Sequence, residues 1–154
     1  MSDQNPNSEN EQRIFTLKEA ESTRREIEPL LLEAMDSRRK LADTDEKLSR
    51  IVSRIMVMGG ILINTQAAAE LRSEHDHFVG LVRNALETIQ ATGCVVKDLD
   101  TGLLDFPARI DGEEVFLCWR LGEDRIRFWH RQDEGFAGRR PIDPRDPGPG
   151  SQVQ

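Results

Sequence analysis

The sequence predicts an α+β fold, a long antiparallel helical hairpin packed on a four-stranded antiparallel β-meander. Three observations carry this expectation. Apolar residues recur at helical spacing between residues 16 and 93, and from Cys94 onward the period changes to two. Asp111-Gly112, the strongest hairpin signal that local sequence offers, lies between two strand-like runs. Strands that follow helices, rather than alternating with them, give α+β rather than α/β.

The elements follow in order. Residues 1–13 are polar and carry too little apolar surface to offset the entropy of ordering, so a flexible tail is expected there. Thr16-Leu17-Lys18-Glu19 is a capping box that opens the first helix. Ile27, Ala34, Leu41, Leu48 and Ile55 then step by seven, with Leu30, Ser37, Thr44, Ile51 and Met58 three residues further on. This is a coiled-coil-like seam, apolar at its ends and polar in its middle. Pro29 lies inside it and is expected to kink the helix or divide off its first two turns. Gly59-Gly60 stops the pattern. A second stripe (Ala68, Leu71, His75, Phe78, Val82, Ala85, Ile89) runs on to a left-handed cap at Gly93. Four strands are expected at 94–98, 103–110, 113–120 and 125–131, so the hairpin covers 16–93 and the meander 94–131 of a single domain spanning 14–140. Residues 141–154, rich in proline and glycine, are expected to form a second flexible tail.

Composition narrows the function classes. A net charge of −7 over 154 residues argues against a duplex-binding protein, which must neutralise phosphates with Lys and Arg, and against adsorption to anionic membranes. Two cysteines, Cys94 and Cys118, form neither a disulfide framework nor a zinc ligand pattern. No apolar run reaches the length of a membrane span, and the N-terminus lacks the features of a secretion signal, so the expected compartment is the cytoplasm.

Strand register yields the candidate site. A two-residue turn at Asp111-Gly112 places Leu104 opposite Trp119, Phe106 opposite Leu117 and Ala108 opposite Val115. A four-residue link at 121–124 would place Trp119 opposite Ile126 and Leu117 opposite Phe128. That face is apolar and is the expected core. The other face then carries Asp105, Cys118 and Arg127 in one row and Pro107, Phe116 and Trp129 in the next, with an Asp105–Arg127 pair around the thiol. Exposed Phe116 and Trp129 side by side would mark a surface covered by a second copy, by the segment 131–140, or by a ligand.

Chemistry on this face is weighed against simpler roles. Cys118 lacks a base, because in this register His130 projects to the opposite side, so a buried inert cysteine is expected. A metal set of Asp98, Asp105, Glu123 and His130 has suitable ligand types, but it requires a slip of one residue in the last hairpin to bring Asp105 and His130 together. His75 and His77 lie two apart on a helix, about 200° around it, and cannot chelate jointly. His75 falls within the apolar stripe and is expected to be a hydrogen-bonded core or interface residue.

The strings FTLKEA (15–20), VVKDLDTGLLDFPA (95–108), CWRLGEDRIRFWH (118–130) and GFAGRRPI (135–142) resemble the bacterial domain-of-unknown-function 2203 family. The resemblance runs from about Phe15 to Ile142. It implies no activity; it marks GLLDFP, CWRLGE, WH and GFAGR as hallmarks rich in polar residues. Relatives often carry proline where this chain has Arg25, which implies a more continuous first helix here. The expected function is a non-catalytic interaction or assembly module, homodimeric and without cofactor, using the outer sheet face and the helical arm. The alternative is a small-ligand or metal site, with or without enzymatic activity, built from Asp105, Phe116, Cys118, Glu123, Arg127, Trp129, His130 and Arg139.

Overall fold

The computed structural model describes residues 12–59 and 65–145. Most of both expected tails (1–11 and 146–154), and Gly60 with its successors to 64, lie outside the described residues. The chain forms two compact units. One comprises the residues up to Glu26 together with those from Gln90 onward, and the other is Ile27–Ile89. The helix α1 (Leu17–Met58) belongs to both, because its first ten residues fall in the sheet-containing unit and the remainder in the helical one.

The capping box forms as expected: the Glu19 N–H donates to Thr16 Oγ1 at 3.1 Å, and the Thr16 N–H donates to Glu19 Oε1 at 3.3 Å. The helix then runs through Pro29 as a single element instead of dividing there. It ends at Met58, where Gly59 takes a positive φ of 67° that favours glycine. In the helical unit α2 (Thr65–Ala91) runs antiparallel to α1. Lys40 lies over Phe78, and Asp45 meets His75 Nε2 at 2.6 Å, so rising numbers on one helix meet falling numbers on the other. His75 is accordingly a paired, partly buried residue. The polar middle of the seam is buried, with Ser37 and Thr44 covered and the Thr44 hydroxyl donating to the Leu41 carbonyl at 2.8 Å. Among the described residues no helix is long and apolar enough to cross a membrane.

The sheet has five strands among the described residues, all antiparallel and in sequential order: β1 (Val95–Asp98), β2 (Leu103–Ile110), β3 (Glu113–Arg120), β4 (Phe128–Arg131) and β5 (Arg140–Pro141). The expected count was four. The fifth is a two-residue edge strand in what was expected to be the tail boundary, and the edge position tolerates Pro141, which has no N–H to give. The β2–β3 register is the expected one, from Leu104 opposite Trp119 to Ile110 opposite Glu113. Its turn has positive φ at both central residues, 51° at Asp111 and 79° at Gly112, the twist that a two-residue hairpin needs.

The last hairpin departs from expectation. Cys118 pairs with Phe128, Leu117 with Trp129 and Phe116 with His130, a slip of one residue from the expected pairing of Leu117 with Phe128. β4 begins at Phe128 instead of Arg125 because the N–H of Ile126 is taken by the carboxylate of Glu21, on α1, and leaves the ladder. The longer link is fastened at β3 as well. The Trp119 indole N–H donates to the Glu123 carbonyl at 3.0 Å, and the Arg120 N–H to Glu123 Oε1 at 2.6 Å.

One face of the sheet carries Leu104, Phe106, Val115, Leu117 and Trp119, all buried. Within the sheet unit the start of α1 covers part of this face: Phe15 meets Phe106 edge-on with ring centroids 5.3 Å apart, and the buried Arg24 lies over Trp119. The Phe15 N–H donates to the Pro107 carbonyl at 2.7 Å, which ties the segment before α1 to β2. Gly93, at φ 95°, lies against this segment. A Cβ there would meet Arg13 Cβ at 3.0 Å and Phe15 Cε2 at 3.2 Å. Gly93→Ala therefore combines a left-handed backbone with overpacking and is expected to destabilise the protein by at least about 1–2 kcal/mol, read as a lower denaturation midpoint in urea.

Candidate functional site

The slip in the last hairpin reverses the expected placement of His130. Because cross-strand partners project to the same side, Asp105, Cys118 and Phe128 share a face with Pro107, Phe116 and His130. Three chemically capable side chains converge there from three adjacent strands: Asp105 from β2, Cys118 from β3 and His130 from β4. They are 1%, 0% and 3% exposed, and one ligand atom from each lies within 4.8 Å of the other two.

The hydrogen bonding of this cluster constrains its protons. His130 Nδ1 lies 2.7 Å from the Arg131 carbonyl oxygen, which can only accept, so Nδ1 carries a hydrogen and donates it. A neutral ring then presents a bare lone pair at Nε2, and Nε2 lies 3.0 Å from Asp105 Oδ2. Two acceptors do not sit 3.0 Å apart in a buried site without a positive centre between them, either a proton or a metal ion. The other carboxylate oxygen, Oδ1, is buried and has no hydrogen-bond partner. Burial, followed by the charge of Asp105, pushes the Cys118 thiol up to about 12, so without a cation it stays protonated at neutral pH. Burial likewise raises Cys94.

This geometry excludes a nucleophilic triad. Both imidazole nitrogens are committed, one to the Arg131 carbonyl and the other to Asp105, so neither is free to take the thiol proton. The donor set is instead one that could hold a metal ion. It offers a carboxylate oxygen, a thiolate sulfur and an imidazole nitrogen whose far N–H is anchored on a backbone carbonyl, the arrangement that fixes a ligating histidine.

A second constellation lies beside the first. Arg139 Nη2 donates to both carboxylate oxygens of Glu123, at 2.6 and 2.8 Å, and the guanidinium lies 4.1 Å from the ring centre of Phe128 and 4.6 Å from that of Phe136. Phe128 is the cross-strand partner of Cys118.

The remaining expected site residues are placed as follows. Phe116 is buried against the His130 ring, with centroids 5.5 Å apart, so it is not an exposed partner surface. Trp129 lies on the opposite face, opposite Leu117, with Arg140 over its ring. The expected Asp105–Arg127 pair does not form. Arg127 precedes β4 and pairs with Asp124 through two bonds of 2.9 Å. Of the expected metal set, Asp105 and His130 meet, whereas Asp98 accepts from the Asp100 N–H and Glu123 from Arg139. Sequence reasoning left Cys118 outside that set, although the correctly read Asp105–Cys118 pairing was the signal that could have included it.

The family model described as "Uncharacterized conserved protein (DUF2203)" matches residues 13–142. The chain belongs to that family. The matched span contains Asp105, Cys118, Glu123, His130 and Arg139, and so the whole of both constellations. No curated protein and no solved structure matches this DUF2203 chain.

The Asp124–Arg127 pair makes a pH-dependent prediction. The hydrogen bonds from Arg127 hold the Asp124 carboxyl at about 2, below its ordinary value near 3.8. A lowered folded-state value means that the pair supports the fold above the ordinary carboxylate range and is lost as pH falls through that range toward 2. Arg127→Ala is expected to return the Asp124 midpoint to about 3.9, read from the side-chain carboxyl carbon shift in an NMR titration.

Proposed function

We propose that this protein is a metal-binding domain that holds one transition-metal ion of the zinc class through an Asp105 oxygen, Cys118 Sγ and His130 Nε2. The observation that carries the reading is the contact between Nε2 and Asp105 Oδ2 at 3.0 Å, in a ring whose proton is already committed at Nδ1. A proton between the two accounts for that contact. A divalent ion accounts for it as well, and it also converts the adjacent thiol into the thiolate that soft metals select. Ligand bonds of about 2.0–2.3 Å put donor atoms roughly 3.3–3.8 Å apart in a tetrahedron, well inside the span of the present cluster. Sulfur and nitrogen donors disfavour calcium and magnesium, which take oxygen. The sheet's contribution is preorganisation: three adjacent strands fix three ligands.

The reading is tested by expressing the protein in zinc-supplemented medium, by elemental analysis, and by cobalt(II) titration of metal-stripped protein. About one zinc per chain is expected, together with a sulfur-to-cobalt charge-transfer band that Cys118→Ser removes and His130→Ala weakens. Wild-type protein that retains no stoichiometric metal and gives a cobalt spectrum identical to that of Cys118→Ser would sink the proposal.

A second reading, assembly of two copies through the helical arm, is favoured by a separate observation. Val52, Met56, Val57 and Met58, at the end of α1, are all more than half exposed, and such a cluster in a soluble chain marks a contact surface. The double substitution Met56→Glu and Val57→Glu is expected to convert a dimer to a monomer in light scattering without changing metal content. A wild-type protein that is monomeric at high concentration overturns this reading.

A further inference from the structure

We infer that the Glu123–Arg139 ion pair is a latch over the metal centre, and that an ion enters or leaves only when this pair opens. The inference rests on the metal reading above and concerns how that same site is regulated.

The three ligands are almost fully buried, so an ion reaches them only if part of the structure moves. Asp105 and Cys118 sit on β2 and β3, the longest strands, which pair along their whole length, so they are poor candidates for movement. The link between β4 and β5 is different. Residues 132–139 are mostly exposed and contain a single 3-10 turn, Phe136–Gly138. Such a segment opens at low free energy compared with a paired strand.

What holds this link down is specific. Arg139, at its end, donates from Nη2 to both oxygens of Glu123 and is stacked on both Phe128 and Phe136. Phe128 sits beside Cys118 on the same face, so the stacked guanidinium lies over the sulfur's neighbour. Glu123 is the fixed jaw, bound to the Arg120 N–H and held through its carbonyl by the Trp119 indole. Arg139 is the moving jaw. The base of the link is fastened independently, because Glu134 bonds the Arg131 N–H and both arms of Arg140, and a Cβ on Gly138 would come within 2.8 Å of Glu134 Cβ. Opening at Arg139 therefore leaves the ends of the link anchored. The closed state also keeps Arg139 Nε buried without a hydrogen-bond partner, so release to water regains a bond.

The test measures zinc transfer from loaded protein to a chromophoric chelator in stopped flow, and uptake by stripped protein. Arg139→Gln and Glu123→Gln break the ion pair while keeping hydrogen-bonding groups of similar size. Each is expected to speed both uptake and release by roughly five- to thirtyfold, with stoichiometry retained. Arg109→Gln, which breaks an exposed cross-strand pair with Glu114, is the control and is expected to leave both rates unchanged. Full loading with unchanged rates in the two latch variants overturns the latch and leaves the metal reading standing. Equal acceleration by the control variant also overturns it, by showing general loosening. Wild-type protein that takes up no zinc removes both readings together.

Discussion

The carboxylate of Glu21 decides where the last long strand begins. It is on the first turns of α1, yet it accepts the N–H of Ile126, 105 positions away, and also binds Arg24, which lies over Trp119. Taking that one N–H out of the ladder lengthens the link between β3 and β4 and delays β4 to Phe128. Side chains alternate along a strand, so a shift of one residue exchanges the faces of every residue after it. His130 thereby reaches Asp105 and Cys118, while Trp129 goes to the opposite side. The buried O, N and S cluster is a product of this register, and the register is a product of a helix-to-link hydrogen bond.

This explains which parts of the molecule were legible in the sequence. The β2–β3 hairpin was fully legible because its register is set locally. Asp-Gly prescribes a two-residue turn with left-handed backbone, and counting outward fixes every pair. The capping box at Thr16 and the glycine stops at Gly59 and Gly93 are equally local. The β3–β4 hairpin was not legible, since its link is closed by Glu21 from outside the segment and by the Trp119 indole across it. Alternation alone fitted either register. β5 was hidden for another reason, because two residues that include a proline carry no period and read as tail.

For the site, composition supplied the right residue types and topology supplied their meeting. Asp105 and Cys118 were paired correctly from the turn alone, and Glu123 and Arg139 were both singled out, although nothing in their spacing said that they would bind each other. The Arg127 assignment failed with the register. The arginine that lies by Cys118 is Arg139, delivered by the chain's return along β5 and not by the strand itself.

The sheet unit is discontinuous along the chain. Its first piece ends at Glu26 and its second begins at Gln90, with the whole helical arm between them. This has a consequence for the order of folding during synthesis. When α1 leaves the ribosome, the partners of Phe15, Glu21 and Arg24 are still untranslated, so these side chains wait as an exposed, unpaired edge. The arm is local in sequence and can zip first. By forming a hairpin it replaces a long flexible loop with a short rigid one, which removes most of the closure entropy before Phe15 meets Pro107 and Glu21 meets Ile126. Asp105, Cys118 and His130, all C-terminal to the arm, then come together last.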